Sequence, residues 1–430
     1  LDAKGQISLD AQNSEDIFNL SLQAAGGSYA GLAGATNVMN LTAITKAYTD
    51  TGVEINQKAG YGKDGSKDVS LTATHEVKEM KNTVTAASGS GGASVGAAVD
   101  VGNIKTQTNA FLGDGNKVAA GGSVTVEAKD NMHDIMSNAI SAAIGFVGLS
   151  GSISVYNVGS TMSPEDQKML SGQTSENGET VGFDSWVNEE LAKINEGTGK
   201  AVGAYDTASL DEVKSSLGKT FASEAPSSAG EKGTLAKIGS GSVIAAAGDV
   251  KVHADDTLSA QNIMGSLSGS AAASAGASVS VLNTDTQTKA LVDKAAKVTA
   301  GKDLAISAKA AHNFKEYITG ASVSGGVAGQ GTVGTWTDKS AVSALLGDTN
   351  AVHAKNISIT SDNDRTLDAY VAGASVALCA LNGAVVTANV TGSSEAGIGD
   401  DEGKYAGEVK ADQALTVSSG AKTTMDAKAF

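Results

Sequence analysis

The sequence predicts an all-β protein, a parallel β-solenoid interrupted by one mainly helical insertion. Three observations lead to this prediction. A short strand-like phrase recurs seven times, apolar and polar residues alternate with a period of two, and one stretch of about 71 residues breaks both patterns. A fixed period is typical of repeat architectures. Alternation with period two indicates strands that bury one face.

The recurring phrase is a glycine or polar residue, then two apolar residues one position apart, then a small residue. The stretches GSVTVEA at 122–128 and GDVKVHA at 248–254 are two copies. The first apolar residues of the seven copies are Ile7, Val69, Val124, Val250, Leu304, Ile357 and Leu415. Most steps are close to 55 residues. Because this is long for one turn of a solenoid, we expect each repeat to contain two or three rungs.

Composition supports a thin, regular core. Aromatic residues make up 4% of the chain, there are two prolines, and glycines number 53. Small side chains cannot fill a wide interior at normal packing density, whereas stacked strands need only a narrow one. The single cysteine, Cys379, lies in an apolar run and is expected to be a small buried side chain. A net charge of -16 argues against nucleic acid as a partner.

A second phrase closes the alternating segments. Val101-x-Asn103-x-x-Thr106-Gln107-Thr108 matches Val281-x-Asn283-x-x-Thr286-Gln287-Thr288. Asparagine tolerates left-handed backbone and bonds its own main chain, so we expect these asparagines to form turns. Two alternatives remain open. Asparagines at successive levels can bond one another, and an asparagine row can bind a ligand.

Residues 163–236 are predicted to be a helical insertion between two solenoid parts, 1–162 and 237–430. The stretch contains both prolines, and it has three helix signals. Pro164 starts a short helix, Asp184 caps a helix with apolar residues through Ile194, and 209–212 form a capping box. Insertions in solenoids often lie on the functional side. The predicted interaction surface is therefore Phe183, Trp186, Glu189, Glu190, Lys193, Asp211 and Lys214. A purely structural decoration is the alternative.

Catalytic and cofactor sites are sought because some β-solenoids act on polysaccharides. Such enzymes need paired carboxylates, or acidic clusters that hold calcium. Three acidic groups qualify by composition: Asp255–Asp256, Asp362–Asp364 with Arg365, and Asp400–Glu402. Each is expected in a solvated turn. No phosphate loop, dinucleotide fingerprint or nucleophile elbow occurs in a credible context. We therefore predict no catalytic, cofactor or metal site.

The histidines share no metal-ligand spacing. They are His75, His133, His253, His312 and His353. Three of them follow equivalent strands, so they are expected on one side of the coil. Because about one repeat separates the closest two, we expect them to be tens of ångströms apart and to share no site.

The repeats resemble a family of giant bacterial surface proteins. Phrases such as VAAGGSVTVEA at 118–128 and AGASVSVLN at 275–283 are similar to the passenger regions of leukotoxin-like and filamentous-haemagglutinin-like adhesins. The resemblance covers nearly all of the chain outside the insertion. It implies a right-handed parallel β-helix, secreted as an autotransporter or two-partner passenger, that acts in attachment or in host-cell damage. It assigns no binding residue.

The expected function is that of a non-enzymatic, extracellular adhesin or stalk segment on the bacterial outer surface, with a part in virulence. Its partner would be a host-cell protein or glycan, or a neighbouring bacterium. The segment would insert in no membrane, because no stretch resembles an 18-residue transmembrane run. Neither end has a polar cap, so we expect a fragment of a longer array. A cytotoxic passenger and a carbohydrate-active β-helix enzyme are the alternatives.

Overall fold

The computed structural model describes residues 1–61, 67–159, 233–348, 350–399 and 406–430. Within these ranges the chain forms a 19-stranded sheet and no helix. The all-β prediction is confirmed. The strands are β1 (Ile7–Gly27), β2 (Ala30–Thr49), β3 (Glu54–Ile55), β4 (Val69–Ser90), β5 (Ala93–Leu112), β6 (Lys117–Ala120), β7 (Val124–Val158), β8 (Gly233–Ile238), β9 (Val243–Ala246), β10 (Val250–Thr284), β11 (Gln287–Val292), β12 (Lys297–Ala300), β13 (Asp303–Ser324), β14 (Val327–Asp338), β15 (Ala341–Leu346), β16 (Ala351–Val376), β17 (Cys379–Val390), β18 (Ser393–Ile398) and β19 (Glu408–Ala429).

The seven predicted phrases stack in register. Every pairing is parallel, and each strand pairs with the equivalent strand of the next repeat, the arrangement that a β-solenoid requires. The paired residues are Ile7 with Val69, Val69 with Val124, Val124 with Val250, Val250 with Leu304, Leu304 with Ile357, and Ile357 with Leu415.

The expectation of two or three rungs in each repeat is wrong. Val250 pairs directly with Leu304, one whole repeat later, so a repeat is a single rung. The reason is strand length. β7 and β10 each run for 35 residues and keep their pairing around a bend, where the sequence suggested several short strands and turns.

Each rung has four walls, here illustrated by the fourth rung. The first wall is the first part of β10, 250–270, and the second wall is its remainder, 273–284. A register irregularity between Ser270 and Ala273 marks the bend between them. The short strands β11 and β12 supply the third and fourth walls. The long walls alternate buried and exposed residues, as the period of two predicts.

The core consists of separate apolar clusters, which polar side chains divide along the cross-section. Aliphatic residues such as Val250 and Leu304 fill the cluster between the first, third and fourth walls. The middle cluster contains the large side chains Tyr156, Phe314 and Trp336. The ring centroids of Phe314 and Trp336 lie 5.4 Å apart. Each fully buried aliphatic side chain stabilises the fold by about 1.5–3 kcal/mol. The expectation of a core built from small side chains therefore holds only for part of the cross-section of the coil.

The asparagines recur at equivalent positions because they form a hydrogen-bonded ladder within the strands. The prediction that they form turns is wrong. Asn103 donates a side-chain hydrogen bond to Asn40 at 3.0 Å, and Asn157 donates to Asn103 at 3.0 Å. Asn283 continues the ladder by donating to Asn157 at 2.9 Å. These residues lie within β2, β5, β7 and β10, and none has positive φ. Stacking is possible because equivalent residues of neighbouring rungs are adjacent.

The predicted insertion lies almost wholly outside the described residues. This applies to all three expected helices. The last four residues assigned to it, 233–236, form part of β8, which pairs with β5 and β11. The step from Val124 to Val250 is 126 residues, against 54 from Val250 to Leu304, so 72 residues are additional at this point.

Cys379 is exposed, not buried. Cys379 pairs with Val327, which points outward from the second wall. The next pair along the strands, Ala328 with Ala380, points toward the core. An apolar run does not reveal this orientation, because both faces of the strand carry apolar residues here.

Candidate interaction surface

Asp, Glu, Lys, Arg and His are absent from one side of each of the first six rungs. The charge-free runs, which also lack histidine, are 17–45, 82–99, 135–158, 257–284, 317–337 and 369–394. They cover the later half of the first wall, the bend and most of the second wall. We call this side the apolar edge. The acidic charge of the described residues therefore lies on the remaining part of the coil.

Large apolar side chains point outward along the apolar edge. In the middle rungs, away from the open ends of the stack, Ile144 is 60% exposed, Phe146 48%, Leu267 45%, and Val327 52%. They point outward because alternation places their neighbours, such as Ala143 and Ala328, in the core. Exposed apolar patches of this kind are typical of interaction surfaces, so the apolar edge is the candidate site.

Two shallow grooves flank the bend. The first-wall groove measures about 290 Å³ and is lined by Ile140, Gly265, Leu267 and Thr319, among others. The second-wall groove measures about 360 Å³, and its lining includes Gly329 and Gly331. A Cβ atom added at either of these two glycines would meet no atom within 4 Å. Missing side chains therefore create the second groove, between outward-pointing Val327 and its neighbours.

The interaction residues predicted from the sequence all lie outside the described part of the chain. They are Phe183, Trp186, Glu189, Glu190, Lys193, Asp211 and Lys214. Sequence reasoning missed the apolar edge, although its signal was available. The charge-free runs recur once in each of the first six repeats, and a one-rung repeat stacks them on one side.

Two of the three acidic groups considered as catalytic candidates lie in strands, where turns were expected. Asp255 and Asp256 are consecutive residues of β10, so their side chains point to opposite faces and only Asp256 is buried. Asp362 and Asp364 point outward from β16, while Arg365 is buried. The third group, 400–402, lies outside the described residues.

Buried ions form a row inside the coil, and two of the histidines belong to it. We define the ionic row as Glu15, His75, Asp130, Asp256, His312, Asp338 and Arg365. His75 contacts Glu15 through Nε2 at 2.7 Å and Asp130 through Nδ1 at 2.6 Å. The expectation of widely separated histidines is therefore wrong. His75, Asp130 and Asp256 are register partners on neighbouring strands, so one repeat corresponds to about 4.8 Å.

The other half of the ionic row joins the first and second walls. His312 Nε2 lies 3.5 Å from Asp256 Oδ2, and Arg365 Nε lies 2.6 Å from Asp338 Oδ2. The side chains of these four residues are at most 2% exposed. The remaining histidines are outside this row. His133 is exposed beside Asp134, while His253 bonds Ser307 and His353 contacts Asp412 on the outer surface.

The surroundings of both buried histidines favour the protonated form. Burial alone lowers the pKa of His75, but its hydrogen bond to Asp130 and the charges of Asp130 and Glu15 outweigh burial and raise the pKa above its usual value. The pKa of His312 is raised in the same way by Asp256 and Asp338, against the opposing charge of Arg365. Each of these histidines therefore lies beside carboxyl groups that stabilise its protonated form, while burial raises the pKa of Asp130 as well.

A second polar row contains acids without cations. We define the amide row as Asn82, Ser137, Asn262 and Glu316 of the first wall, facing Asp100, Ser154 and Ser280 of the second. Tyr156 donates a hydrogen bond to Asp100 at 3.0 Å, and Ser280 donates to Glu316 at 2.9 Å. Burial raises the pKa of Asp100 to about 6 and that of Glu316 to about 7, although these hydrogen bonds oppose the rise. Both carboxyl groups are closed off from solvent.

The fold and this surface define a class of protein: a parallel β-coil of stacked repeats with ions in its core and one charge-free edge. Comparisons of the chain with protein-family models, with curated proteins and with solved structures give no match. Within the described ranges, no helix has the length and hydropathy needed to cross a lipid bilayer.

Proposed function

We propose that this chain is a non-enzymatic segment of an extracellular bacterial adhesin or stalk, folded as a right-handed parallel β-helix. The apolar edge carries the proposal. It extends over successive rungs with exposed apolar side chains at each middle rung, as an adhesive rod requires. This assignment agrees with the resemblance of the repeats to leukotoxin-like and filamentous-haemagglutinin-like surface proteins.

Rigidity along the axis supports a stalk. Seven strands of the first wall pair in parallel with only local irregularities of register, and the asparagine ladder ties four rungs of the second wall together. Rods of this kind hold a binding surface away from the cell. The -16 charge fits a solvated exterior that does not adhere to anionic membranes or to nucleic acid.

The position of the ionisable groups supports a non-enzymatic role. The acids and histidines that approach one another most closely, such as His75 and Asp130, lie inside the coil. A general acid or base must reach its substrate within hydrogen-bond distance, and a buried row offers no such access. We therefore assign these groups to the core. The proposed partner is a host-cell protein or glycan, or the surface of a neighbouring bacterium.

Binding to host cells and to a glycan array tests the function. The whole chain should bind, and Ile144→Glu should weaken binding by about tenfold or more, because a charge on the edge must be desolvated at the contact. Thr299→Glu adds the same charge on the exposed side of β12 and should leave binding unchanged.

A chain lacking 163–232 provides the comparison with the surface predicted from the sequence. Binding that survives this deletion and is lost in Ile144→Glu would place the contact on the apolar edge. Binding that is lost on deletion and survives Ile144→Glu would contradict that placement. Absence of binding to every cell and glycan would contradict the adhesin assignment itself.

A further inference from the structure

We propose that two copies of this chain pair side by side along their apolar edges. The proposal concerns contacts between copies, so it does not depend on the receptor-binding function. Three properties of the edge lead to a second copy as the partner: its charge, its shape and its period.

Charge confines contact between copies to this edge. Two chains of net charge -16 repel one another wherever their acidic sides meet. The apolar edge has no Asp, Glu, Lys, Arg or His over six successive rungs. Two copies that meet there bury no charge and keep their acidic sides far apart. Depletion of charged residues is also what distinguishes the core of protein interfaces.

The shape of the edge is self-complementary. The bend carries projecting side chains, Phe146 and Val327, and grooves lie on the two walls beside it. A two-fold interface requires one surface patch to fit itself, so that a projection on each copy enters a depression on the other. Gly265 and Gly329 leave these depressions open in the first-wall and second-wall grooves.

The period of the edge selects a partner with the same period. Rungs follow one another at about 4.8 Å, because neighbouring parallel strands have that spacing. When two such coils lie along each other, every rung of one meets an equivalent rung of the other. Side chains can then interdigitate repeatedly, as they do between stacked sheets. A globular partner lacks this repeat and would fit at fewer positions.

The size of the patch predicts weak pairing. Six rungs at about 4.8 Å and six residues at about 3.3 Å give a patch on the order of 600 Å² per copy. This is at the low end for specific protein contacts. We therefore expect a concentration-dependent dimer, which added salt strengthens because it screens the repulsion between the acidic sides.

Sedimentation equilibrium of the whole chain tests the pairing, under reducing conditions that keep Cys379 from forming a disulfide. Between about 1 and 500 µM the average mass should rise toward that of a dimer. Leu267→Glu places a charge beside the first-wall groove and should raise the dimer dissociation constant at least about tenfold. Thr299→Glu is the matched control and should dimerise like the unmodified chain. Far-UV circular dichroism confirms that each variant is folded.

Two results would overturn the proposal. One is a chain that stays monomeric across the whole concentration range at high salt. The other is equal dimerisation by folded Leu267→Glu and the unmodified chain, which would place the contact elsewhere. Because cells and glycans are absent, these results are independent of the adhesion experiment, and either proposal can fail alone.

Discussion

The ionic row and the amide row cross the same core, yet they accommodate buried acids in opposite ways. In the ionic row, Asp130 and Asp338 each contact a cationic side chain. In the amide row, Asp100 accepts a hydrogen bond from Tyr156 and Glu316 accepts one from Ser280, and both donors are neutral hydroxyl groups. A buried carboxylate without a cation is costly, so burial raises the pKa of Asp100 to about 6 and that of Glu316 to about 7. Burial also raises the pKa of Asp130 in the ionic row, but there His75 opposes the rise.

Both rows nevertheless make stability fall as the pH rises. The histidines have raised pKa values, so their contribution is complete below their ordinary pKa of about 6.5 and is lost as the pH rises through the raised one. The pKa of Glu316 is about 7 in the fold, whereas its ordinary value is 4.5. Its folded form therefore holds a proton that the unfolded chain releases, and stability decreases between these values. Substitutions separate the two contributions.

The largest expected effect is the removal of the cation in the ionic row. Arg365→Met leaves Asp338 buried without the positive charge that now contacts it. Asp338 would still accept its hydrogen bond from the backbone N–H of Ser340. We expect a loss of about 3–5 kcal/mol in the free energy of unfolding, measured by denaturant titration near neutral pH. Lys251→Met removes a cation that is 56% exposed and should cost far less. Similar losses in the two variants would show that the row does not depend on charge pairing.

The next effect concerns the amide row. Glu316→Gln keeps the shape of the side chain and removes its ionisation. Because the pKa shift is about 2.5 units, the unmodified chain should lose about 3 kcal/mol between about pH 4.5 and 8 through this residue, and the variant should not. Thermal unfolding at both pH values measures the difference. Glu395→Gln, at an exposed position of β18, is the control. An unchanged pH dependence in Glu316→Gln would contradict the protonated state.

Asp100→Asn should have a smaller effect at a lower pH. The pKa of Asp100 is about 6 in the fold and ordinarily 3.8. The substitution should therefore remove about 2–3 kcal/mol of the loss in unfolding free energy that occurs as the pH rises. The stability difference between Asp100→Asn and the unmodified chain should reach its full size about one pH unit lower than the difference for Glu316→Gln. The midpoint of each variant's stability difference, followed in pH steps by thermal unfolding, tests this order. Coinciding midpoints would mean that the two acids titrate as one group.

Spacing alone predicted the stacking of the repeats, because phrases such as those at Val124 and Val250 recur at positions that pair directly. Rung number could not be obtained in this way. A 35-residue strand that bends around the coil has the same local alternation as several short strands, so β10 was divided at polar residues such as Asp255 and Asp256. The turn assignment of Asn103 failed for the same reason.

The ionic row was missed because its members are remote in sequence and become neighbours only when one repeat equals one rung. Adding the repeat to His75 gives Asp130, and the long step then gives Asp256. With that register the row follows from the sequence. The pairing of Arg365 with Asp338 does not, because it joins two walls across the core. Such contacts depend on how the walls face each other, which the repeat period leaves open.

The stacking of the coil continues across the junction between Gly159 and Gly233. Both glycines have positive φ, 76° and 80°, which other residues rarely adopt. Val158 and Thr234 pair with Thr284 and Thr288 of the following rung. Consecutive first walls are 54 residues apart from Val250 to Leu304 and 55 from Val69 to Val124, whatever separates β7 from β10. The stacking of the rungs therefore does not depend on how many residues separate these two glycines.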